Sequence, residues 1–189
     1  MSSSKHRNPK VSFEASTSFN FPEKLEEYRA TVKLEGSDLI STWFDDFRVA
    51  YTLIQAVQVA TSLNSSLIHL ARHRHFIEEE QMLAHRAACW SDLVAPYMPR
   101  PQPSSDRMYC GGSGEHFVAS GAFHDPDPIV GFRDDKEAIY DFAISLEGGS
   151  VMMRFGWVAW TLSPSEAEWL AEQVWAATLL AAQQAKCLG

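Results

Sequence analysis

The spacing of hydrophobic residues changes near the middle of the chain. Between 37 and 97 apolar residues recur every three or four positions, which predicts helices. Between 116 and 160 they alternate with polar residues in short runs, which predicts strands. Helical spacing returns from 164 to about 186. We therefore expect an α+β fold with an N-terminal helical hairpin, an antiparallel β-meander of about four strands, and a C-terminal helix covering it.

The helical half is predicted to divide at Asn64–Ser66, where three polar residues interrupt the apolar pattern. One helix would run from about 37 to 63 and a second to about 97. Residues 21–35 fit two patterns. A helix is slightly favoured, whereas the alternation of Tyr28, Ala30, Val32 and Leu34 with polar neighbours is typical of a strand.

The remaining segments define the domain organisation. Residues 1–20 are rich in Ser and Asn and are interpreted as a mobile arm. Residues 21–189 are expected to form a single domain, in which 21–98 are helical and 115–189 form the sheet with its helix. Proline and glycine at 99–114 indicate a linker between these parts. No internal repeat is visible.

Gly148-Gly149 predicts a two-residue β-hairpin turn. This register places Phe142 opposite Phe155 and Tyr140 opposite Trp157 on an apolar face, with 151–160 as one strand. Asp141 would pair diagonally with Arg154 on the other face, where Trp160 is expected to be free for a partner. Ser163, Pro164 and Glu166 predict a capped helix start. That helix should cover the hairpin with Leu170, Val174, Ala177 and Ala181.

Composition and charge limit the function classes. The chain has 189 residues, 46% of them hydrophobic, and a formal net charge of −8. Acidity disfavours direct nucleic-acid binding. Three cysteines without CxxC spacing indicate a reducing compartment. The polar N-terminus does not resemble a signal peptide, and no segment has the apolar run of a membrane span. These features predict a cytoplasmic protein without membrane contact.

Acidic residues concentrate in two predicted loops of the C-terminal half. Residues 115–147 contain eight acidic and two basic residues. Such loops attract basic partners and accelerate encounter, although they could serve solubility alone. The residues predicted to bind a partner are Asp125, Asp127, Asp134, Asp135, Glu137 and Trp160.

Metal and enzyme sites have weaker support. His69 and His73 are four residues apart on a helix, and Glu80 could complete a two-His–carboxylate zinc or iron site. The alternative is that Glu80 forms an ion pair with Arg48 across the predicted hairpin. Asp125 and Asp127 could bind calcium without the EF-hand pattern. Cys110 with His116 or His124 could form a nucleophilic pair. No cofactor is predicted.

The hypothesis favoured by these observations is a non-enzymatic interaction protein. It would bind a basic surface of another protein, as an inhibitor or immunity-type protein acting on a nucleic-acid-handling machine does. The alternatives are a metal-dependent enzyme or metal-binding protein that uses the two histidines and Glu80, and an α+β domain with a small-molecule pocket between the helical hairpin and the sheet. Whether the chain forms a homodimer is left open.

Overall fold

A computed structural model describes residues 12–21, 26–97, 117–125 and 138–188. In these ranges the chain forms two four-stranded antiparallel sheets and three α-helices. Sheet A contains β1 (Phe13–Phe21), β2 (Glu26–Glu35), β3 (Leu39–Phe44) and β4 (Phe47–Tyr51). Sheet B contains β5 (Phe117–Asp125), β6 (Ala138–Glu147), β7 (Ser150–Phe155) and β8 (Val158–Leu162). The helices are α1 (Leu53–His73), α2 (Ile77–Val94) and α3 (Pro164–Leu188), with a 3-10 turn at Ala95–Tyr97.

Sheet A with α1, called unit one, and sheet B with α3, called unit two, are structurally equivalent. Their strands have the same lengths in the same order, namely 9, 10, 6 and 5 residues. Adding 111 to a residue number in β3, β4 or α1 gives the equivalent position in β7, β8 or α3, so that Leu53 corresponds to Pro164. The corresponding shift from β2 to β6 is 112. The chain therefore contains an internal structural repeat, which the sequence does not show.

Local contacts repeat with the same spacing. Asp45 and Gly156 occupy the same position of the β3–β4 and β7–β8 turns, both with positive φ. Their N–H groups donate to the carbonyls of Arg29 and Asp141, which are also equivalent. Each helix then starts at a capping box, Thr52 with Gln55 in α1 and Ser163 with Glu166 in α3. The second of these confirms the predicted start of α3.

Each long helix packs mainly on the sheet of the other unit. Helix α1 lies against β5 and β6, α3 lies against β2 and β3, and the two helices pack on each other. Small residues at equivalent positions, Ala56 with Ala167 and Ala60 with Ala171, are fully buried in the two helices. The result is one shared hydrophobic core.

The predicted N-terminal helical hairpin is wrong. Residues 26–35 form strand β2, and the helix predicted from 37 begins only at Leu53, after two more strands. The supposed mobile arm is strand β1 from Phe13 onward. Aromatic and β-branched residues in 39–51 recur at helical spacing, but they also alternate along β3 and β4. Burial of the inner face of the sheet favours the strand pattern over the helical one.

The predicted break at Asn64–Ser66 is also wrong, because α1 continues to His73. The polar side chains are satisfied inside the helix layer. Asn64 Nδ2 donates to the Leu83 carbonyl at 3.1 Å, and Ser66 Oγ donates to the Ser62 carbonyl. The chain reverses instead at His75, whose φ of 61° ends the helix.

The predicted hairpin register is confirmed near the turn and wrong beyond it. Phe142 pairs with Phe155, and both side chains are buried. After Phe155 the chain turns again, so 151–160 is two strands and Trp157 is exposed instead of facing Tyr140 in the core. The described residues contain no ion pair between Asp141 and Arg154. The four predicted α3 residues are buried, but the helix packs mainly on α1 and on sheet A rather than on the β6–β7 hairpin.

Candidate functional site

The outer face of sheet B, the face turned away from the shared core, carries a cavity of about 640 Å³. It lies over β6 and β7 and extends to the turn that joins them. Its walls combine small, apolar and charged side chains, contributed by Ala143, Ser145, Leu146, Glu147, Met152 and Arg154, with Gly148 at the turn. A volume of this size falls in the range of ordinary ligand sites.

The cavity exists because the middle of this face is built from small side chains. Ala143 and Ser145 alternate outward on β6 and are buried at the cavity floor. Their cross-strand partners are Arg154 and Met152. Arg154 is exposed, and no ion pair joins it to another residue in the described ranges. Its guanidinium is therefore available to a ligand.

The equivalent face of sheet A is filled by its own side chains. The Trp43 ring lies between Lys33 and Arg48, with 5.7 Å from each charged group to the ring centroid. Trp43 Nε1 donates to Ser41 Oγ at 3.1 Å, and Ser41 Oγ donates to the Glu35 carboxylate. We call these five residues the Trp43 cluster.

An ion pair anchors this cluster. Arg48 Nη2 lies 2.6 Å from Glu35 Oε2, and the Arg48 side chain is only 4% exposed. Burial on its own raises the pKa of Glu35, but hydrogen bonds from Arg48 and Ser41 and the charge of Arg48 outweigh it and lower that pKa below its usual value. Contacts among the five side chains therefore fill this part of the outer face of sheet A.

The two faces differ at the positions that decide whether a cavity forms. Arg154 stands where sheet A has Trp43, and Ala159 stands where it has Arg48. Ser145 takes the place of Lys33, whereas Glu147 retains the carboxylate of Glu35. The cavity lies where sheet B replaces the Trp43 ring with Arg154 and replaces the long cationic side chains of Lys33 and Arg48 with Ser145 and Ala159.

The β7–β8 turn provides a second difference between the units. Trp157 stands where the β3–β4 turn has Asp46, and its side chain is 81% exposed. A side chain this exposed does not pack in the hydrophobic core, and tryptophan is enriched at the centres of protein interfaces. Both differences involve residues of the β7–β8 hairpin, namely Arg154, Trp157 and Ala159.

The residues predicted to bind a partner have mixed outcomes. Trp160 is buried and stacks on Phe44 with 4.3 Å between ring centroids, so the expectation that it is free for a partner is wrong. It joins the two sheets instead. Asp125 is the last residue of β5. Asp127, Asp134, Asp135 and Glu137 lie outside the described residues.

The candidate metal ligands are not brought together. His69 and His73 are exposed on α1, and Glu80 of α2 pairs with Arg72 at 2.8 Å. In the described ranges no group of three His, Cys, Asp or Glu residues could hold a metal ion. The predicted Arg48–Glu80 pair is wrong, because Arg48 lies in β4 and binds Glu35.

Helix α2 is held to the core by a polar junction. Arg86 binds Glu168 and Glu172 of α3 at 2.8 Å and Asn64 of α1. It also stacks on Trp90. The remaining Arg86 nitrogen, Nη2, is buried without a hydrogen-bond partner. Because Arg86 Nε and Nη1 bond to residues of α1 and α3, we interpret Arg86 as a structural residue that joins the three helices.

One thiol–imidazole contact resembles part of a catalytic site. Cys89 Sγ lies 3.6 Å from His85 Nε2 on the exposed side of α2. A nucleophile and a base need an orienting group and a substrate pocket to act together, and the described cavity lies on sheet B. The pair of Cys110 with His116 or His124 lies in part outside the described residues. The described residues therefore bring together no nucleophile, base and pocket that would support the enzyme hypothesis.

Sequence reasoning missed the cavity, which depends on the sizes of the side chains on the outer face of β6 and β7, and it missed the exposure of Trp157, which depends on the second turn at Gly156. Gly156-Trp157 is a usable turn signal, but the continuous apolar pattern from 151 to 160 hid it. In the described part of the chain, no helix is long and apolar enough to cross a membrane. Comparisons with protein-family models, curated proteins and solved structures found no match.

Proposed function

We propose that this protein is a non-enzymatic interaction module that binds a basic surface of a partner protein through unit two. The observation that carries the proposal is Trp157, which is 81% exposed in the turn that follows β7, a strand that also lines the cavity of sheet B. Unit one serves as an internal comparison. Its equivalent turn has an aspartate and its equivalent face is filled.

Charge supports a basic partner. The chain carries a formal net charge of −8, and residues 115–147 contain eight acidic against two basic residues. Acidic surfaces accelerate association with basic ones and discriminate against acidic partners. In its narrower form, the proposal describes an inhibitor or immunity-type protein that covers a basic nucleic-acid-binding surface. A soluble polyanion such as heparin should then compete with this protein for the partner.

Position-specific crosslinking tests the proposal. A photoreactive phenylalanine analogue at position 157 is expected to crosslink a partner in the native cell, whereas the same analogue at position 46 should not. The captured protein is then purified and its affinity measured. Trp157→Ala should weaken binding at least tenfold, as loss of an interface anchor does. Asp46→Ala, at the equivalent turn position, should leave the affinity unchanged.

Two results would overturn the proposal. One is equal crosslinking from positions 46 and 157. The other is unchanged affinity of the purified partner for Trp157→Ala. Because the Trp157 side chain is exposed, this substitution leaves the folded core intact. A circular dichroism melt that matches the wild type would establish this.

A further inference from the structure

The Trp43 ring of unit one lies where unit two has its cavity. Its Nε1 reaches back along β3 to Ser41, and Lys33 and Arg48 flank the ring. The indole therefore leans over positions 33 and 41 of the outer face. The equivalent positions in unit two are Ser145 and Met152, which line the cavity.

We infer that the cavity accepts an aromatic side chain, the indole of a tryptophan or the phenol of a tyrosine, from the partner protein. The incoming ring would occupy over sheet B the place that Trp43 occupies over sheet A. This inference rests on the proposed function and names what the partner inserts. Unit two has Arg154 at the Trp43 position and so provides no ring of its own.

The charges of the cavity suit an aromatic group with one hydrogen-bond donor. The Arg154 guanidinium can stack on the negative face of the ring, as Arg48 does on Trp43 in unit one. Ser145 Oγ and the Glu147 carboxylate line the same cavity and can accept from an indole N–H or a phenol O–H.

Methyl NMR on the full chain tests this inference with N-acetyltryptophanamide as the probe. The Met152 methyl signal, assigned by its loss in Met152→Leu, should shift and saturate, while that of Met82 on α2 should stay constant. Arg154→Gln should weaken the probe's affinity about two- to fivefold, the size of an exposed cation–π contact. Arg29→Gln, on the outer face of sheet A, is the matched control.

A second variant tests the structural equivalence directly. Arg154→Trp combined with Ala159→Arg introduces the ring and the cation of the Trp43 cluster, which should fill the cavity and abolish the Met152 shift. If this pair fails to fold, Arg154→Gln alone decides. An unshifted Met152 signal, an equal response to N-acetylleucinamide, or full affinity in Arg154→Gln would overturn the inference.

The same spectra identify other occupants and separate this inference from the proposed function. If the Met152 signal of the protein alone moves with protein concentration and this movement is lost in Trp157→Ala, the occupant is Trp157 of a second copy. That result overturns the assignment to a partner protein. If the probe fails but Trp157→Ala still weakens partner binding, this inference falls and the proposed function stands.

Discussion

Arg48 carries a nearly buried charge on the outer face of sheet A and therefore needs a partner of opposite charge. Removal of one member of such a pair leaves the other charge without its partner. The Glu35 carboxylate supplies that partner and is itself about one-third exposed. The pair therefore contributes less than a fully buried one, while it still orders Trp43 through Ser41.

The contribution of the ionised Glu35 carboxylate should appear as a pH dependence of the free energy of unfolding. Because the folded-state pKa of Glu35 is lowered, its contribution is fully present above the unfolded value of 4.5 and is lost as pH falls through the folded pKa. Glu35→Gln should cost about 1.5–3 kcal/mol at pH 7, the range for a hydrogen bond to a charged group. The deficit should shrink below pH 4.5, as measured by urea denaturation.

Glu14→Gln is the control for this measurement. Glu14 pairs with Lys33 at 3.5 Å, and both side chains are well exposed. Exposed pairs contribute at most about 1 kcal/mol. A Glu35→Gln deficit that stays constant from pH 7 to the acid limit would show that the ionised carboxylate is not what stabilises the cluster.

At the scale of elements, the sequence predicts those parts whose local signals agree with their environment. The start of α3 and the Phe142–Phe155 register follow from a capping box and a diglycine turn, both of which act within a few residues. The sequence did not predict strands β2 to β4, because their stability depends on burial of one face of sheet A against elements that are distant in the chain. The predicted helix break at Asn64 is wrong for the same reason, since the side chain of Asn64 is satisfied by the distant Leu83 carbonyl.

The two equivalent turns give a prediction about element geometry. Gly156 has a φ of 59°, where a residue with a Cβ costs about 1–2 kcal/mol. Asp45 tolerates the same conformation, and its Oδ1 accepts from the Arg29 N–H at 2.8 Å. Gly156→Asn should therefore cost less stability than Gly156→Ala, because asparagine can accept from the equivalent Asp141 N–H. Thermal unfolding of both variants measures the difference, and equal costs would contradict this reading of the turns.

At the scale of the whole molecule, the acid excess should govern the rate of partner binding. Replacement of Asp125, Asp127, Asp134 and Asp135 with Asn should slow association with the purified partner and weaken its salt dependence, because exposed charges are screened beyond about 8 Å at physiological ionic strength. Stopped-flow kinetics at two salt concentrations measure both effects. Lys5→Gln with Lys10→Gln is the control, and an unchanged rate in the quadruple variant would remove these residues from the encounter.

The exchange of helices between the units predicts that neither unit folds alone. Helix α1 covers β5 and β6 of the other unit, and α3 covers β2 and β3, so that separation would expose the inner face of both sheets. Aromatic contacts such as Tyr51 with Phe123 and Phe44 with Trp160 cross the same boundary. The chain should therefore unfold in one cooperative transition.

Fragments 1–97 and 98–189 separate the two units between α2 and β5. Each alone should lack a cooperative urea transition, whereas an equimolar mixture should recover the near-ultraviolet circular dichroism of the intact chain, since the buried aromatic rings regain fixed surroundings only in the complex. A cooperative transition in either isolated fragment would contradict this expectation. In that case each helix would have to be able to turn back onto its own sheet, and the packing between units would be an association of two independently stable halves.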